Sequence, residues 1–236
     1  MSDSVGCLYG LGVGPGDPEL ITVKALRILR STDVIAYPAS ENNQKSLARA
    51  IASEYIKPEQ IEIPLYFPFK LDRSSEPYYQ KAATTLAEYL DRGDNVVVLC
   101  EGDPFFYGSF MYIYNLLMNR YPIEVVPGVS SMMAAAACLG SPLTYRNDTC
   151  VVVSAILPAE VLKSKLAVAD AAVIIKLGKN FTKVVAVLKE LGLCDRAKYI
   201  EKATTQEQKI IAIASVNPTK VPYFATIVVP SESKFK

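Results

Sequence analysis

Apolar residues in the first half of the chain fall into short continuous runs separated by longer stretches with helical spacing. The clearest run is Val96–Cys100, in which all five residues are apolar and three are β-branched. Such a run is typical of a strand buried on both faces. It ends in Glu-Gly-Asp-Pro at 101–104, and apolar residues at helical spacing follow over 105–118. The pattern predicts a strand that turns sharply into a helix, a place where open α/β sheets bind ligands. An ordinary strand–helix connection would have the same pattern.

The rest of the chain repeats this alternation and predicts an α/β fold. The other predicted strands cover 5–11, 33–37, 61–65, 123–126, 150–155, 171–177, 198–200, 210–215 and 223–229. One predicted helix starts at Asp17-Pro18, and the others cover 45–55, 81–90, 132–139 and 184–191. Because strands and helices alternate, we expect a mostly parallel sheet in the first half. The segments 210–215 and 223–229 are expected to pair as antiparallel strands, which would make the second sheet mixed. A break at Tyr121-Pro122 places the predicted domains at 1–121 and 122–236.

Two other glycine-rich turns resemble the one at 101–104. The first, Gly-Leu-Gly-Val-Gly-Pro-Gly-Asp-Pro at 10–18, has neither the G-x-G-x-x-G spacing of a dinucleotide site nor a P-loop lysine. It either turns tightly or leaves room for a bulky ligand. The second, Pro-Gly-Val-Ser-Ser at 127–131, places Ser130 and Ser131 where they can cap a helix or donate to a ligand. The segment 66–79 is expected to be a long loop, either a surface segment or a lid.

Composition excludes several classes of function. The net charge is +1 without a Lys/Arg block, so nucleic acid is not an expected partner. No apolar run has the length of a membrane span, and no signal peptide is expected. Five cysteines without a Cys-x-x-Cys pair are typical of a reducing cytoplasm. With no histidine, Ser-His-Asp and Cys-His catalysis are excluded, and no metal site is expected in the protein.

Five motifs together resemble the tetrapyrrole (uroporphyrinogen/precorrin) methylase family over nearly the whole chain. They are Gly-Val-Gly-Pro-Gly-Asp-Pro at 12–18, Glu-Gly-Asp-Pro-Phe-Phe-Tyr-Gly at 101–108, Val-Pro-Gly-Val-Ser-Ser at 126–131, Lys-Leu-Gly at 176–178 and Glu-Lys-Ala-Thr at 201–204. Each motif is weak alone, but their order and separations match the family. The resemblance implies two α/β domains, S-adenosylmethionine bound in the cleft between them, a homodimer and a tetrapyrrole substrate.

The resemblance also implies site residues. The cofactor-binding residues would be Glu101, Gly102, Asp103, Phe106, Ser130, Ser131, Leu177 and Ala203, and the tetrapyrrole would face Gly14, Pro15, Gly16 and Asp17. Ser130-Ser131 stands where relatives commonly have Thr-Ala or Thr-Ser, Leu177 where many have Met, and Ala203 where some have Gly. Because Asp103 is expected in an exposed turn, Asp103→Ala should weaken cofactor binding without unfolding the protein.

Glu101, the Phe-Phe-Tyr-Gly-Ser-Phe continuation and the segment 143–148 resemble the members that methylate carbon-20 of precorrin-2 or of its cobalt complex, in cobalamin biosynthesis. Such a reaction is a direct displacement, in which alignment is worth up to about 7–11 kcal/mol. The carbon must then lose a proton, for which Asp103, Glu101, Tyr107 and Asp148 are candidates. Arg146 and Lys176 are candidates for binding substrate carboxylates. Methylation at another ring carbon, a non-tetrapyrrole acceptor such as a diphthine precursor, and a non-catalytic tetrapyrrole carrier remain alternatives.

Overall fold

The computed structural model describes residues 5–40, 45–68 and 75–232, and the elements below lie within them. The strands are β1 (Leu8–Gly12), β2 (Val34–Ser40), β3 (Ile61–Phe67), β4 (Val96–Cys100), β5 (Ile123–Val126), β6 (Cys150–Ser154), β7 (Ala171–Ile175), β8 (Lys198–Glu201), β9 (Lys209–Ile211) and β10 (Ala225–Val229). The α-helices are α1 (Val23–Ser31), α2 (Leu47–Ala52), α3 (Glu76–Leu90), α4 (Phe110–Leu117), α5 (Ser131–Cys138), α6 (Ala159–Leu166) and α7 (Phe181–Glu190). Short 3-10 helices cover Pro18–Leu20, Ser53–Tyr55, Gly178–Asn180 and Ile213–Ser215.

The first sheet has the order β3-β2-β4-β1-β5, and all of its neighbouring strands are parallel. The central strand β4 is buried along its whole length, as its continuous apolar run predicted. Its side chains alternate between two cores. Val96, Val98 and Cys100 pack with α3 and α4. Val97 and Leu99 pack with α1 and α2 on the opposite face. Helices therefore cover both faces of the sheet, which is the reason both faces of β4 are apolar.

Helix boundaries in this part differ from the predicted ones at turns that side chains cap. The predicted helix at 105–118 begins only at Phe110, because residues 104–107 form turns after Asp103. Asp17 caps a 3-10 turn rather than a long helix, and Thr22 caps α1. Within the predicted loop 66–79, β3 extends to Phe67 and α3 begins at Glu76, while 69–74 lie outside the described residues.

The second sheet has the order β6-β7-β10-β8-β9 and is mixed. Strand β6 is parallel to β7, whereas β10 is antiparallel to β7 and β8. Helices α6 and α7 pack on one face, and Ala135 of α5 packs against Ile200 and Val228. The prediction that 210–215 pairs with 223–229 is wrong, because β8 lies between β9 and β10. Helix α6 has no counterpart among the predicted helices.

The predicted fold class, α/β with a parallel first sheet and a mixed second sheet, is confirmed. The chain divides into two compact units, one ending at Ser130 and the other beginning at Ser131. The boundary predicted at 121/122 falls earlier, and the difference is β5, which pairs with β1 in the first sheet. Among the described residues, no helix combines the length and apolar character that a membrane span needs.

Candidate active site

The carboxyl ends of β1 and β4 form a crevice of the kind that binds ligands in open α/β sheets. The two strands are neighbours, paired from Leu8 with Val96 to Gly12 with Cys100. Helix α1, which follows β1, packs on one face of the sheet, and α4, which follows β4, packs on the other. Neighbouring strands whose connections leave to opposite faces define the topological switch point. The structure therefore places the predicted turns 12–18 and 101–104 at one ligand-binding edge.

Hydrogen bonds join these two turns. The Gly102 N–H donates to the Gly14 carbonyl at 2.8 Å, and the Gly14 N–H donates to the Gly102 carbonyl at 3.3 Å. Both glycines have positive φ, +78° at Gly14 and +65° at Gly102, which favours glycine at these positions. Part of the glycine-rich backbone therefore serves to pair the two turns with each other.

The third glycine turn, after β5, reaches the same place. A Cβ added at Gly128 would lie 2.0 Å from the Gly102 carbonyl oxygen, and one added at Gly12 would lie 2.5 Å from the Gly128 nitrogen. Such distances are far shorter than any side chain tolerates. Gly12 and Gly128 are therefore required by close backbone packing within the first unit, whatever ligand the edge binds.

Asp103 connects the second and third turns. Its Oδ1 accepts from the Phe105 N–H at 2.9 Å, and its Oδ2 accepts from the Gly128 N–H at 3.1 Å. The side chain is partly buried. Asp103 is thus less exposed than expected, and both of its carboxylate oxygens hold backbone donors of the first unit. Asp103 has a structural role in addition to any contact with a ligand.

Glu101 is the other carboxylate of this turn and has a different environment. It follows the last residue of β4, and its partly buried side chain hydrogen-bonds the backbone N–H of Ala48 in the first turn of α2. Burial raises the pKa of the Glu101 carboxyl, and the Ala48 hydrogen bond opposes that shift only in part. A buried carboxyl at this edge therefore holds a proton to a higher pH than an ordinary glutamate does.

The remaining predicted residues of the first unit lie in the same turns. The Phe106 and Tyr107 rings are perpendicular with centroids 5.0 Å apart, and Tyr107 has a positive φ of 56° and an exposed side chain. Pro15 and Gly16 are partly buried, and the Asp17 carboxylate accepts from the Glu19 N–H at 2.9 Å. Ser130, at the end of this unit, is partly buried.

In the second unit, the predicted residues of the two later motifs share one edge of the mixed sheet. Strand β10 runs antiparallel between β7 and β8, and Ala225 at its beginning pairs with Glu201 at the end of β8. Beyond the strand ends, the Lys202 N–H donates to the Phe224 carbonyl and the Gly178 N–H to the Pro222 carbonyl, each at 3.3 Å. The motifs at 176–178 and 201–204 therefore flank the same strand, although they are distant in sequence.

Backbone conformation marks this edge as unusual. Lys176, Lys202 and Thr204 have φ values of +60°, +45° and +70°, which are rare for residues other than glycine. Such conformations cluster at functional sites. Burial also lowers the pKa of the Lys176 ammonium. Lys202 and Thr204 belong to the motif at 201–204 but were not among the predicted site residues, since nothing in their side chains predicts left-handed backbone.

Three predicted positions of this unit have side-chain environments that restrict their roles. Leu177 is fully buried (0% exposed) in the core beneath the sheet. Ala203 is partly buried and packs at the margin of the α5 core. Ser131 is exposed at the first position of α5. Leu177 can therefore face a ligand only through its backbone unless the core rearranges.

Asp148 and Arg146 lie in a separate turn of the second unit, between α5 and β6. The Asp148 carboxylate accepts from the Tyr145 N–H at 2.8 Å, and Arg146 is exposed with a φ of +42°. The Asp148 carboxylate thus helps to close its own turn. Within the described ranges, no group of three or more Cys, Asp or Glu side chains is placed to hold a metal ion.

Fold and site together define the class of this protein: a two-unit α/β protein whose parallel sheet joins three glycine turns at its carboxyl edge. The chain belongs to the tetrapyrrole (corrin/porphyrin) methylase family, whose model matches residues 7–216. The family assignment made from the motifs is therefore confirmed.

Curated relatives match nearly the whole chain. It is 40% identical over 234 residues to the cobalamin biosynthesis protein CobIJ of Mycobacterium tuberculosis, covering 95% of this chain and 46% of that protein. The chain thus spans about half the length of CobIJ. It is 38% identical to the precorrin-2 C(20)-methyltransferase of Sinorhizobium sp, with 96% of both chains covered. It is 32% identical to the cobalt-precorrin-2 C(20)-methyltransferase of Salmonella typhimurium, with 98% of both covered.

Solved structures share the fold. A cobalt precorrin-4 methyltransferase, CbiF, superposes with a TM-score of 0.70 at 26% identity, covering 95% of this chain and 94% of the other. The uroporphyrin-III C-methyl transferase of Thermus thermophilus, complexed with S-adenyl homocysteine, has a TM-score of 0.66 at 26% identity, covering 94% and 97%.

Proposed function

We propose that this protein is an S-adenosylmethionine-dependent methyltransferase that methylates carbon-20 of precorrin-2 or of its cobalt complex in cobalamin biosynthesis. The observation that carries the proposal is the joined edge of β1, β4 and β5, where the family's motifs meet in hydrogen-bonded turns. The 38% and 32% identities to two carbon-20 methyltransferases, over nearly their full length, support the substrate and the position of methylation.

The residues of both units fit the methyl donor. S-adenosylmethionine carries a sulfonium, an amino-acid group and an adenosine, and when bound it supplies a methyl group by direct displacement. In the first unit, the turns at 101–107 offer the Asp103 carboxylate and the Phe106 ring, which suit a cation, and the backbone of Glu101 and Gly102. In the second unit, we infer that Ala203 and the backbone of Leu177 contribute, with Ser130 and Ser131 from the chain segment at the unit boundary.

The chain's own residues act mainly by positioning. It has no histidine, and the turns that carry the proposed contacts are held by backbone pairing and by Asp103. Aligning two reactants in a fixed geometry can be worth up to about 7–11 kcal/mol. A partly buried edge also excludes water, which strengthens electrostatic contacts. We infer that Gly14, Pro15, Gly16 and Asp17 face the tetrapyrrole.

Cations for the acetate and propionate groups of the tetrapyrrole are proposed at the edge of the second sheet. Lys176 and Lys202 follow β7 and β8, on either side of β10. Tyr223 and Phe224 lie in the segment just before β10, beside these lysines, and each is 52% exposed. Their rings are nearly perpendicular, with centroids 5.2 Å apart. Arg146, exposed in another turn, is a further candidate.

An incubation with each candidate substrate tests the proposal and shows which of the two is methylated. The full chain is given S-adenosylmethionine and either metal-free precorrin-2 or its cobalt complex, and product mass and methyl position are read. A single added methyl at carbon-20 is the expected result. Methylation of another carbon would assign a different member of the family. Tight binding of both ligands without a mass gain would leave the second candidate, a tetrapyrrole carrier.

Two further expectations stay predictions. A homodimer is proposed from the family, and the exposed aromatic side chain of Tyr112 on α4, stacked on Tyr79 at 4.6 Å, gives such an interface an apolar surface to cover. The mass of the protein in solution by light scattering is the measurement. A cytoplasmic location, expected from the cysteine pattern, is likewise a prediction.

A further inference from the structure

Methylation at a carbon that carries hydrogen releases one proton, and the structure narrows the choice of group that receives it. Among the described residues, the carboxylates in the turns after β1 and β4 at the carboxyl edge of the first sheet are Asp17, Glu101 and Asp103. The Asp17 carboxylate holds the Glu19 N–H, and the Asp103 carboxylate holds Phe105 and Gly128 through both oxygens. Each of these two groups would release a turn if it took a proton and rotated toward a substrate.

Glu101 has a different kind of support. It directly follows the central strand, and its partly buried carboxylate accepts from the Ala48 N–H in the first turn of α2. A backbone N–H occupies one lone pair and leaves the others available. The position directly follows β4, beside the turn in which Gly102 pairs with Gly14. A base must lie at the edge where the reacting carbon is aligned, and the switch point of the sheet is that edge.

We propose, on the basis of the function proposed above, that the Glu101 carboxylate is the catalytic base that removes the proton from carbon-20 after methyl transfer. The π electrons of carbon-20 form the new bond to the methyl carbon, and the S–CH₃ bond breaks with its electron pair remaining on sulfur. The C20–H bond then breaks, its electron pair returns to the ring system, and the proton passes to Glu101. The products are the methylated tetrapyrrole, the thioether and one proton, which Glu101 releases to solvent.

The charged and titratable neighbours of Glu101 fit this role. Cys100 and Asp103 belong to the same strand and turn, and burial, Glu101 and Asp103 all raise the pKa of the Cys100 thiol, which stays neutral. On α2, Arg49 follows Ala48, but its guanidinium is held by Glu62 of β3 at 2.8 and 2.9 Å. Burial raises the pKa of Glu101, so the carboxylate is a stronger base than an ordinary glutamate. Activity should therefore rise with pH as Glu101 loses its own proton.

The test compares Glu101→Gln with the wild-type chain. Glutamine keeps the length of the side chain and an oxygen that accepts from Ala48, but it cannot take a proton. The maximal rate of methylation is expected to fall by about 10²-fold or more, the size typical of a lost general base. With substrate deuterated at carbon-20, the variant should show a larger isotope effect than wild type, because proton removal becomes the slow step. The acidic limb of the pH–rate profile should also disappear.

Two measurements do not depend on turnover. S-adenosylhomocysteine affinity by calorimetry should be the same in Glu101→Gln and wild type. Infrared difference spectra should show a protonated-carboxyl band that titrates above the range of ordinary glutamates in wild type and is missing in the variant. Glu124→Gln is the matched control, since it neutralises another partly buried carboxylate of the same sheet, near the amino end of β5 and away from the carboxyl edge. It should leave the rate and its pH profile unchanged.

The outcomes separate this inference from the function on which it rests. A wild-type chain that methylates neither tetrapyrrole overturns both. A wild-type chain that methylates carbon-20 while Glu101→Gln keeps its rate and pH profile overturns only the role of Glu101. If Glu101→Gln instead loses S-adenosylhomocysteine binding, the Glu101 carboxylate itself holds the cofactor and its assignment as base is wrong.

Discussion

At the scale of single residues, Asp103 has a structural role and a proposed role in cofactor binding, and substitutions can separate the two. Its carboxylate joins the turn after β4 to the turn after β5 through Gly128, and it closes its own turn through Phe105. Asp103→Ala should therefore lower the free energy of unfolding by about 2–4 kcal/mol, because two backbone donors lose a charged acceptor. It should also weaken S-adenosylmethionine binding, since the turn that we propose to hold the cofactor loses its support. Urea unfolding and calorimetry measure the two effects.

Asp103→Asn distinguishes the structural role from the role in cofactor binding. Its amide oxygen can still accept one of the two N–H groups, so about half of the stability loss should return. Asp195→Ala, at an exposed position of the second unit, is the control and should change neither quantity. If Asp103→Ala unfolds at the wild-type urea concentration, the hydrogen bonds to Phe105 and Gly128 contribute little and the structural task assigned to Asp103 is wrong.

The residue scale also shows what sequence could predict of the site. The glycine positions of the three turns followed from the motifs, and the structure brings Gly12, Gly102 and Gly128 together. The sequence could not show why Gly12 and Gly128 must be glycine, because the cause is a contact between turns that are distant along the chain. The burial of Leu177 is similar, since an apolar residue after a strand can face either a ligand or the core.

At the scale of elements, one ion pair ties α2 to the edge strand β3. The Arg49 guanidinium binds both carboxylate oxygens of Glu62, and Arg49 lowers the pKa of that carboxyl chiefly through these hydrogen bonds. A carboxyl whose pKa is depressed by folding stabilises the protein above its unfolded pKa. That contribution is lost as pH falls through the folded pKa. The wild-type chain should therefore lose stability on acidification below the ordinary glutamate pKa of 4.5.

Arg49→Met and Glu62→Gln should both reduce this acid sensitivity, and the double variant should add little to either. Urea unfolding of the wild type and of these three variants, at neutral and at acidic pH, gives the eight stabilities that the comparison needs. Lys163→Met is the control, because the Lys163–Glu190 pair lies on exposed surface of the second unit, where a single ion pair contributes little. Equal acid sensitivity in all of these proteins would show that the Arg49–Glu62 pair does not couple α2 to β3.

Most elements could be predicted from periodicity, and the errors have physical causes. Strands β4 and β5 have the predicted bounds because continuous apolar runs ended at turn residues. The antiparallel pairing expected between β9 and β10 failed because a strand pattern specifies which side chains are buried but not which strand lies beside it. Helix α6 was missed because its apolar positions are sparse, with only Leu162 and Leu166 buried.

At the scale of the whole molecule, each of the two sheets carries a set of proposed site residues at one edge. The first unit places three glycine turns and Glu101 on a parallel sheet, and the second places Lys176 and Lys202 at one edge of a mixed sheet. Each edge is built from segments far apart in sequence. Contacts of this kind form only when the sheets are complete, so ligand affinity and global stability should be coupled.

This coupling predicts that S-adenosylhomocysteine stabilises the full chain. A ligand that binds only the folded state adds about 2.7 kcal/mol at one hundred times its dissociation constant. For a chain of this size the melting midpoint should then rise by roughly 5–10 °C. ATP is the control ligand, because it shares the adenosine but lacks the amino-acid group and the sulfur. Glu190→Gln should keep the full rise, whereas Asp103→Ala should reduce it. An equal rise with ATP would indicate a general nucleotide site, and no rise with either ligand would contradict the cofactor proposal.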